Sequence, residues 1–168
     1  MTARTWSIQL VGASLLVLVL FGGSRLAHPA EPTVAAGGDA SRVAVVLQLF
    51  DALNRGDAAA ATALMSADAT LISGSTCTLP APCRGTAALR QANEGTVAAN
   101  TTFSLLSVEQ LGSTVVGRYE VRNPSISRSG TERLVESFIA QVPQGQVALF
   151  ISLYDFTDPP TAALVTPR

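Results

Sequence analysis

From Phe103 to Phe156 the chain reads as one strand after another. A period-two pattern runs through 103–111, 114–122 and 132–142, the mark of strands that turn one face to a core and the other away from it, and a fourth strand, more apolar, follows at 146–156. Between the runs stand Gly112-Ser113, the stretch from Asn123-Pro124 to Ser129-Gly130, and Pro143-Gln144-Gly145, all rich in turn-forming residues. Four strands in this succession fold most simply as antiparallel neighbours, because a parallel crossover needs a dozen or more residues. Such a curved sheet needs a cover for its inner face.

The preceding segment supplies it. Val43, Val46, Leu47, Phe50 and Leu53 recur at helical spacing, with Asp39 or Ser41 placed to cap the helix and Gly56 to end it. Asp57 then caps a short alanine-rich helix running to about Met65. Arg55-Gly56-Asp57 spells an adhesion tripeptide, but the connection between two helices accounts for all three residues. A short β-type run at 69–73 follows, and Arg84-Gly85 opens a third helix from Thr86 to about Asn100. The fold class is α+β, with three N-terminal helices packed on a curved, mainly antiparallel sheet.

Composition removes whole classes of chemistry. Eleven basic groups face twelve acidic ones and are interspersed with them, so a nucleic-acid interface is not expected. Every basic side chain is arginine, which excludes Schiff-base chemistry and a phosphate-loop lysine. His28 is the one histidine. No triad, histidine-ligated metal site or cofactor is therefore expected.

The first forty residues stand apart. Arg4 precedes an uncharged run from Thr5 to Ser24 whose apolar heart is residues 8–21, which reads as a signal peptide or retained N-terminal membrane anchor over 1–30. Residues 31–40 read as a flexible spacer, 41–157 as the domain and 158–168 as a tail. The expected location is secreted, periplasmic or otherwise extracytoplasmic. In an oxidising compartment, Cys77 and Cys83 around Thr-Leu-Pro-Ala-Pro read as a disulfide, since their spacing fits neither a C-x-x-C redox pair nor a complete metal site. Asn100-Thr101-Thr102 is a glycosylation sequon, relevant only in a host that glycosylates.

The order of elements resembles the SnoaL-like branch of the nuclear transport factor 2-like superfamily, which includes ketosteroid isomerases. The resemblance spans about residues 41–157. It is carried by Phe50-Asp51-Ala52-Leu53-Asn54-Arg55-Gly56-Asp57, Met65-Ser66-Ala67-Asp68-Ala69-Thr70-Leu71, Arg84-Gly85-Thr86-Ala87-Ala88-Leu89, and Gly145-Gln146-Val147 leading to Tyr154-Asp155. It implies a cone enclosing a pocket between helices and sheet, where members isomerise, cyclise, hydrolyse or bind small apolar molecules. The isomerase set does not carry over: the tyrosine position falls on Leu49 and the general-base position on Ser73. Leucine donates no hydrogen bond, and serine without a base takes no carbon-bound proton. By distance from Gly145, Tyr154 matches a position that lines the pocket, with Phe150 and Ser152 on its face.

One carboxylate suggests catalysis. Leu134, Glu136, Phe138, Ala140 and Val142 share a strand face, and a glutamate in that company is a candidate acid/base, with Phe138 a candidate ligand contact. A register shifted by one residue would instead turn Glu136 outward beside an arginine. Tyr119 alternates with Val115 and Val121 and carries less weight. Arg118, Glu120 and Arg122 read as cross-strand charge pairs, and Asp155 as the end of its strand.

The last strand is apolar on both faces, which points to a homodimer through the outer face of the sheet, or to cover by residues 159–168. The expected partner in the pocket is a small apolar molecule, and the expected function is its binding without isomerase chemistry. An acid/base enzyme using Glu136 and a module devoted to protein association are the alternatives.

Overall fold

The computed structural model describes residues 33–34, 40–74 and 76–166. The uncharged run of residues 5–24, His28 and the capping residue Asp39 lie outside them. Helices α1 (Ala40–Asn54), α2 (Ala58–Ala63) and α3 (Gly85–Ala98) lie against a sheet built from β1 (Thr33–Val34), β2 (Met65–Ile72), β3 (Cys83–Arg84), β4 (Thr102–Leu111), β5 (Thr114–Arg122), β6 (Leu134–Gln141) and β7 (Val147–Tyr154). Two further helices, α4 (Pro124–Arg128) and α5 (Pro159–Val165), lie in segments whose sequence reads as connection and tail.

The four runs pair as expected: β4–β5, β5–β6 and β6–β7 are antiparallel. Strand order is β1-β4-β5-β6-β7-β2-β3, with parallel pairing only at β1–β4 and β2–β7. The sheet is mixed and open, and its α+β class agrees with the sequence reading. Three local readings need correction. The second helix stops at Ala63, and the β-type run begins at Met65 rather than 69, because Met65 and Ala69 are buried against the core and β2 pairs with β7. Thr33 and Val34 of the spacer pair with Ser107 and Val108. The tail is a helix because Asp158 caps it through the Thr161 amide, and the buried Thr161 hydroxyl accepts from the Val135 amide where β6 outruns β7.

The helix junctions follow their sequence signals. Gly56 takes a φ of +76°, a conformation glycine adopts without penalty, and lets the Asp57 amide return to Ala52. Asp57 then accepts from the Ala60 amide at 2.8 Å. Asn54 does more than fall on the polar side of α1: its amide donates to the Phe103 carbonyl and accepts from the Phe103 amide, both at 2.8 Å, tying the helix end to the start of β4.

The core joins the inner faces of helix and sheet. Val46, Leu89, Val115 and Val147 are sealed from water, and Phe50 touches the rings of Phe103, Tyr119, Phe138 and Phe150 at 4.9–6.0 Å. Phe138 and Phe150 stack. The register of β4 on β5 slips between Leu105 and Ser107. There the Ser107 carbonyl and the Phe138 ring approach Gly117 so closely that an added Cβ would meet them at 2.2 and 2.6 Å. The bulge curls the sheet around the helices, and only glycine leaves room for it. Among the described residues no helix is long and apolar enough to cross a membrane.

Candidate functional site

Register brings three side chains into one row on the concave face. Tyr119 of β5 is the cross-strand partner of Glu136 of β6, and Glu136 is that of Tyr154 of β7. The Tyr119 hydroxyl donates to Glu136 Oε2 at 2.6 Å. In the neighbouring row stand Gly117, Phe138 and Ser152. The Ser152 hydroxyl donates to that of Ser73, just past β2, at 2.8 Å.

This row opens on a cavity of about 520 Å³. The concave sheet contributes Phe103, Val121, Leu134, Glu136 and Tyr154, α3 contributes Gln91, Ala92 and Thr96, the cysteine loop contributes Ser73, Thr76 and Cys77, and α4 and α5 contribute Ile126 and Leu164. A recess of about 50 Å³, lined by Leu49, Phe50, Leu53, Asn93 and Phe150 among others, shares Leu71, Ser73, Thr96 and Phe103 with the main cavity. Cys77 is joined to Cys83 by the expected disulfide, which fixes an irregular stretch of wall.

Burial sets the electrostatics of the row. Tyr119 is 1% exposed, and burial, then the charge and hydrogen bond of Glu136, push its hydroxyl well above the ordinary tyrosine value of 10.0, with Ser152 and Ser73 offsetting part of the rise. Tyr154, 38% exposed, is raised from 10.0 by burial and then by the same carboxylate. Both hydroxyls therefore remain protonated at neutral pH and serve as donors. Glu136 is 7% exposed and lines the cavity. Within the described residues no hydrogen bond reaches its Oε1, and that oxygen is not sealed from the cavity. A carboxyl group held by a tyrosine, with one oxygen open to the cavity, can accept a hydrogen bond, hold a cation or move a proton.

The sequence candidates distribute as follows. Glu136, Tyr154 and Ser73 line the main cavity, while Leu49, Phe150 and again Ser73 line the recess. Phe138 and Ser152 line neither, contrary to expectation. The Phe138 ring is spent over Gly117 and against Phe150, and Ser152 stands behind Ser73.

Tyr119 is the residue that the sequence underrated. Its signal lay in the pairing of β5 with β6, which the long connection between them leaves open. Gln91 and Thr96 on α3 carried no signal beyond their place on a helix.

The charged residues of the outer face stand in ion pairs: Arg122 meets Glu120 on its own strand at 2.9 Å, and the others pair across strands. Arg118 reaches across β6 to Asp155 at 2.7 Å, and Arg133 bridges Glu120 and Asp158. Asp155 does more than end β7: it also receives the amide and hydroxyl of Thr157. Among the described residues no three His, Cys, Asp or Glu side chains gather as metal ligands.

Solved structures place this architecture in a known class. An NTF2-like protein of unknown function from Mesorhizobium loti superposes with a TM-score of 0.59 at 15% identity, covering 73% of this chain and 98% of its own. SalBIII, an epoxide hydrolase/cyclase-like enzyme with a role in pyran ring formation in the polyether salinomycin, gives 0.56 at 19% identity, covering 71% and 94%. A putative ketosteroid isomerase from Kribbella flavida gives 0.56 at 18%, covering 77% and 90%. These identities speak for the fold alone, and no curated protein sequence matches the chain. The model of the SnoaL-like domain family matches residues 46–160, and with the cone-type sheet and cavity described above, the chain belongs to the SnoaL-like domain family.

Proposed function

We propose that this is an exported small-molecule-binding protein, whose cavity takes a molecule with an apolar body and does so without ketosteroid-isomerase chemistry. The observation that carries the reading is the cavity itself: about 520 Å³, within the usual range for small-molecule sites, walled by Leu71, Phe103, Val121, Ile126, Leu134 and Leu164. The resemblance matches the positions of acid and phenol in the isomerases to Ser73 and Leu49. Export is supported by the uncharged run of residues 5–24 and by a disulfide that persists only outside a reducing cytosol.

Native mass spectrometry of the protein from an oxidising compartment, with a denatured control, tests both claims. A small molecule retained in the native spectrum and a mass two hydrogens below the reduced chain are expected. A spectrum that stays ligand-free after incubation with apolar probes would defeat the binding reading.

A second reading, acid/base catalysis, is favoured by the 2.6 Å bond from Tyr119 to Glu136 at the cavity wall. In it Glu136 exchanges a proton with an apolar substrate while the Tyr119 hydroxyl holds the carboxylate in place. Glu136→Gln separates the two readings: it abolishes turnover in the enzyme and leaves affinity for a neutral apolar ligand nearly unchanged in the binder.

We further propose that two copies associate through the outer sheet face. Ile139 and Leu153 are 45% and 60% exposed there, and α5 covers only the Val135 end. Sedimentation analysis should give a dimer that Leu153→Asp converts to monomer, and a monomeric wild-type protein would rule the dimer out.

A further inference from the structure

Of the described carboxylates, Asp57, Asp68, Glu109 and Glu132 are exposed to water and need no counter-charge. Asp51, Glu94, Asp155, Glu120 and Asp158 each stand in an ion pair with an arginine. Glu136, more buried than any of these, has no such pair; its single hydrogen-bond partner among the described residues is the Tyr119 hydroxyl, at Oε2. Taking a carboxylate out of water costs several kcal/mol unless a counter-charge or a full set of donors replaces the water. Here the chain supplies one donor and leaves Oε1 open to the cavity.

The rest of the lining sharpens the point. Among the described residues that surround the 520 Å³ space, Glu136 brings the only carboxyl and there is no arginine; the others are apolar, hydroxyl-bearing or amide-bearing. An anionic ligand would meet a carboxyl group and, among the described lining residues, no arginine to receive it. A ligand with a protonated nitrogen would complete the pair that the fold leaves half-built.

We propose that the cavity is selective for amphiphilic amines, with the protonated nitrogen bound to Glu136 Oε1 and the apolar body lying toward Phe103, Leu71 and the recess. This rests on the binding reading above and names the class of ligand. The Tyr154 hydroxyl, beside Glu136 in register and on the cavity wall, and the amides of Gln91 and Asn123 farther round the lining offer the hydrogen bonds a nitrogen or its water would use.

Calorimetric titration of the full chain with two probes of nearly equal size, 1-naphthylmethylamine and 1-naphthalenemethanol, tests the proposal. At neutral pH the amine should bind about tenfold to a hundredfold more tightly than the alcohol, the ratio of a charge-assisted hydrogen bond. Glu136→Gln should bring the amine down to the level of the alcohol, as expected when the charge that favours the amine is lost. Equal affinities for the two probes in the wild-type protein would overturn the amine proposal and leave the apolar cavity standing, as would an amine preference that survives in Glu136→Gln. Binding of neither probe would overturn both. The comparison within the wild-type protein needs no variant to fold.

Discussion

Two buried acidic sites lie on either side of the same strands, and they are built on opposite principles. At the same end of β6 and β7, just past Tyr154, Asp155 and Asp158 are fully engaged: Arg118, Arg133, Thr157 and Thr161 occupy their oxygens. On the concave face Glu136 has one phenol and an open cavity. The first arrangement holds elements together, since it anchors α5 and the end of β7. The second leaves hydrogen-bonding capacity unused by the fold, which the proposed binding would use.

Breaking the paired site should have the largest effect. Asp158→Ala removes the cap of α5 and strips Arg133 of one of its two acidic partners. It should cost about 3 kcal/mol, from the loss of a cap and of a largely buried ion pair. A thermal melt would register this as a drop of about 10 °C, and a drop of a degree or two would mean that α5 contributes little.

Opening the cavity wall by the double change Cys77→Ser and Cys83→Ser should cost about 2 kcal/mol, the chain-entropy value for so short a loop. Ligand affinity should fall with it, because Cys77 lines the cavity. Stability lost without any change in affinity would show that the loop need not be held in shape for binding.

The two sites should also fail at opposite ends of the pH scale. Thr157's hydroxyl leads, against burial and with the Thr157 amide and Arg118 assisting, in holding Asp155 below the ordinary value of 3.8. At Asp158 burial alone would raise the value, and the Thr161 hydroxyl and amide together with Arg133 outweigh it. A depressed folded value means that the unfolded chain takes up protons first, so this stability is present above about 3.8 and is lost as pH falls through the lower folded values.

The tyrosine row works the other way. Tyr119 and Tyr154 are the only tyrosines, and both are raised above 10.0. Their stability is present below 10.0 and lost as pH rises toward the folded values. Tyrosinate absorbance near 295 nm should therefore lag behind that of the urea-unfolded chain around pH 10. Coincident curves would mean that Tyr119 is not held as a donor.

The smallest expected effect sharpens the contrast most. Glu136→Gln should change stability by less than about 1 kcal/mol, because the amide oxygen still accepts from Tyr119 and no ion pair is lost. A loss as large as that of Asp158→Ala would make Glu136 a structural joint like its counterparts.

How far the site was legible depended on which interactions set each feature. Caps and turns act over a few residues, so Gly56 and Asp57 announced the break between α1 and α2, and the five residues between Cys77 and Cys83 announced their bridge. The Asn54 bond to Phe103 joins residues 49 positions apart, and nothing near Asn54 distinguishes it from any other polar residue on a helix. Phe138 had the right parity for the pocket, but the space above Gly117 claimed its ring.

The pattern of residues 103–156 determined by itself that four strands would form and which residues share a face, because successive side chains point to opposite sides whatever the fold. The order of helices and strands likewise determined the α+β class. Whether Glu136 looks inward, and that Tyr119 rather than another side chain stands beside it, was decided only when β5 and β6 aligned. Their connection includes a helix and does not fix the alignment as a tight turn would. A slip of one residue would have exchanged the two faces, and only burial of Leu134, Phe138 and Ala140 against the helices selects one of them.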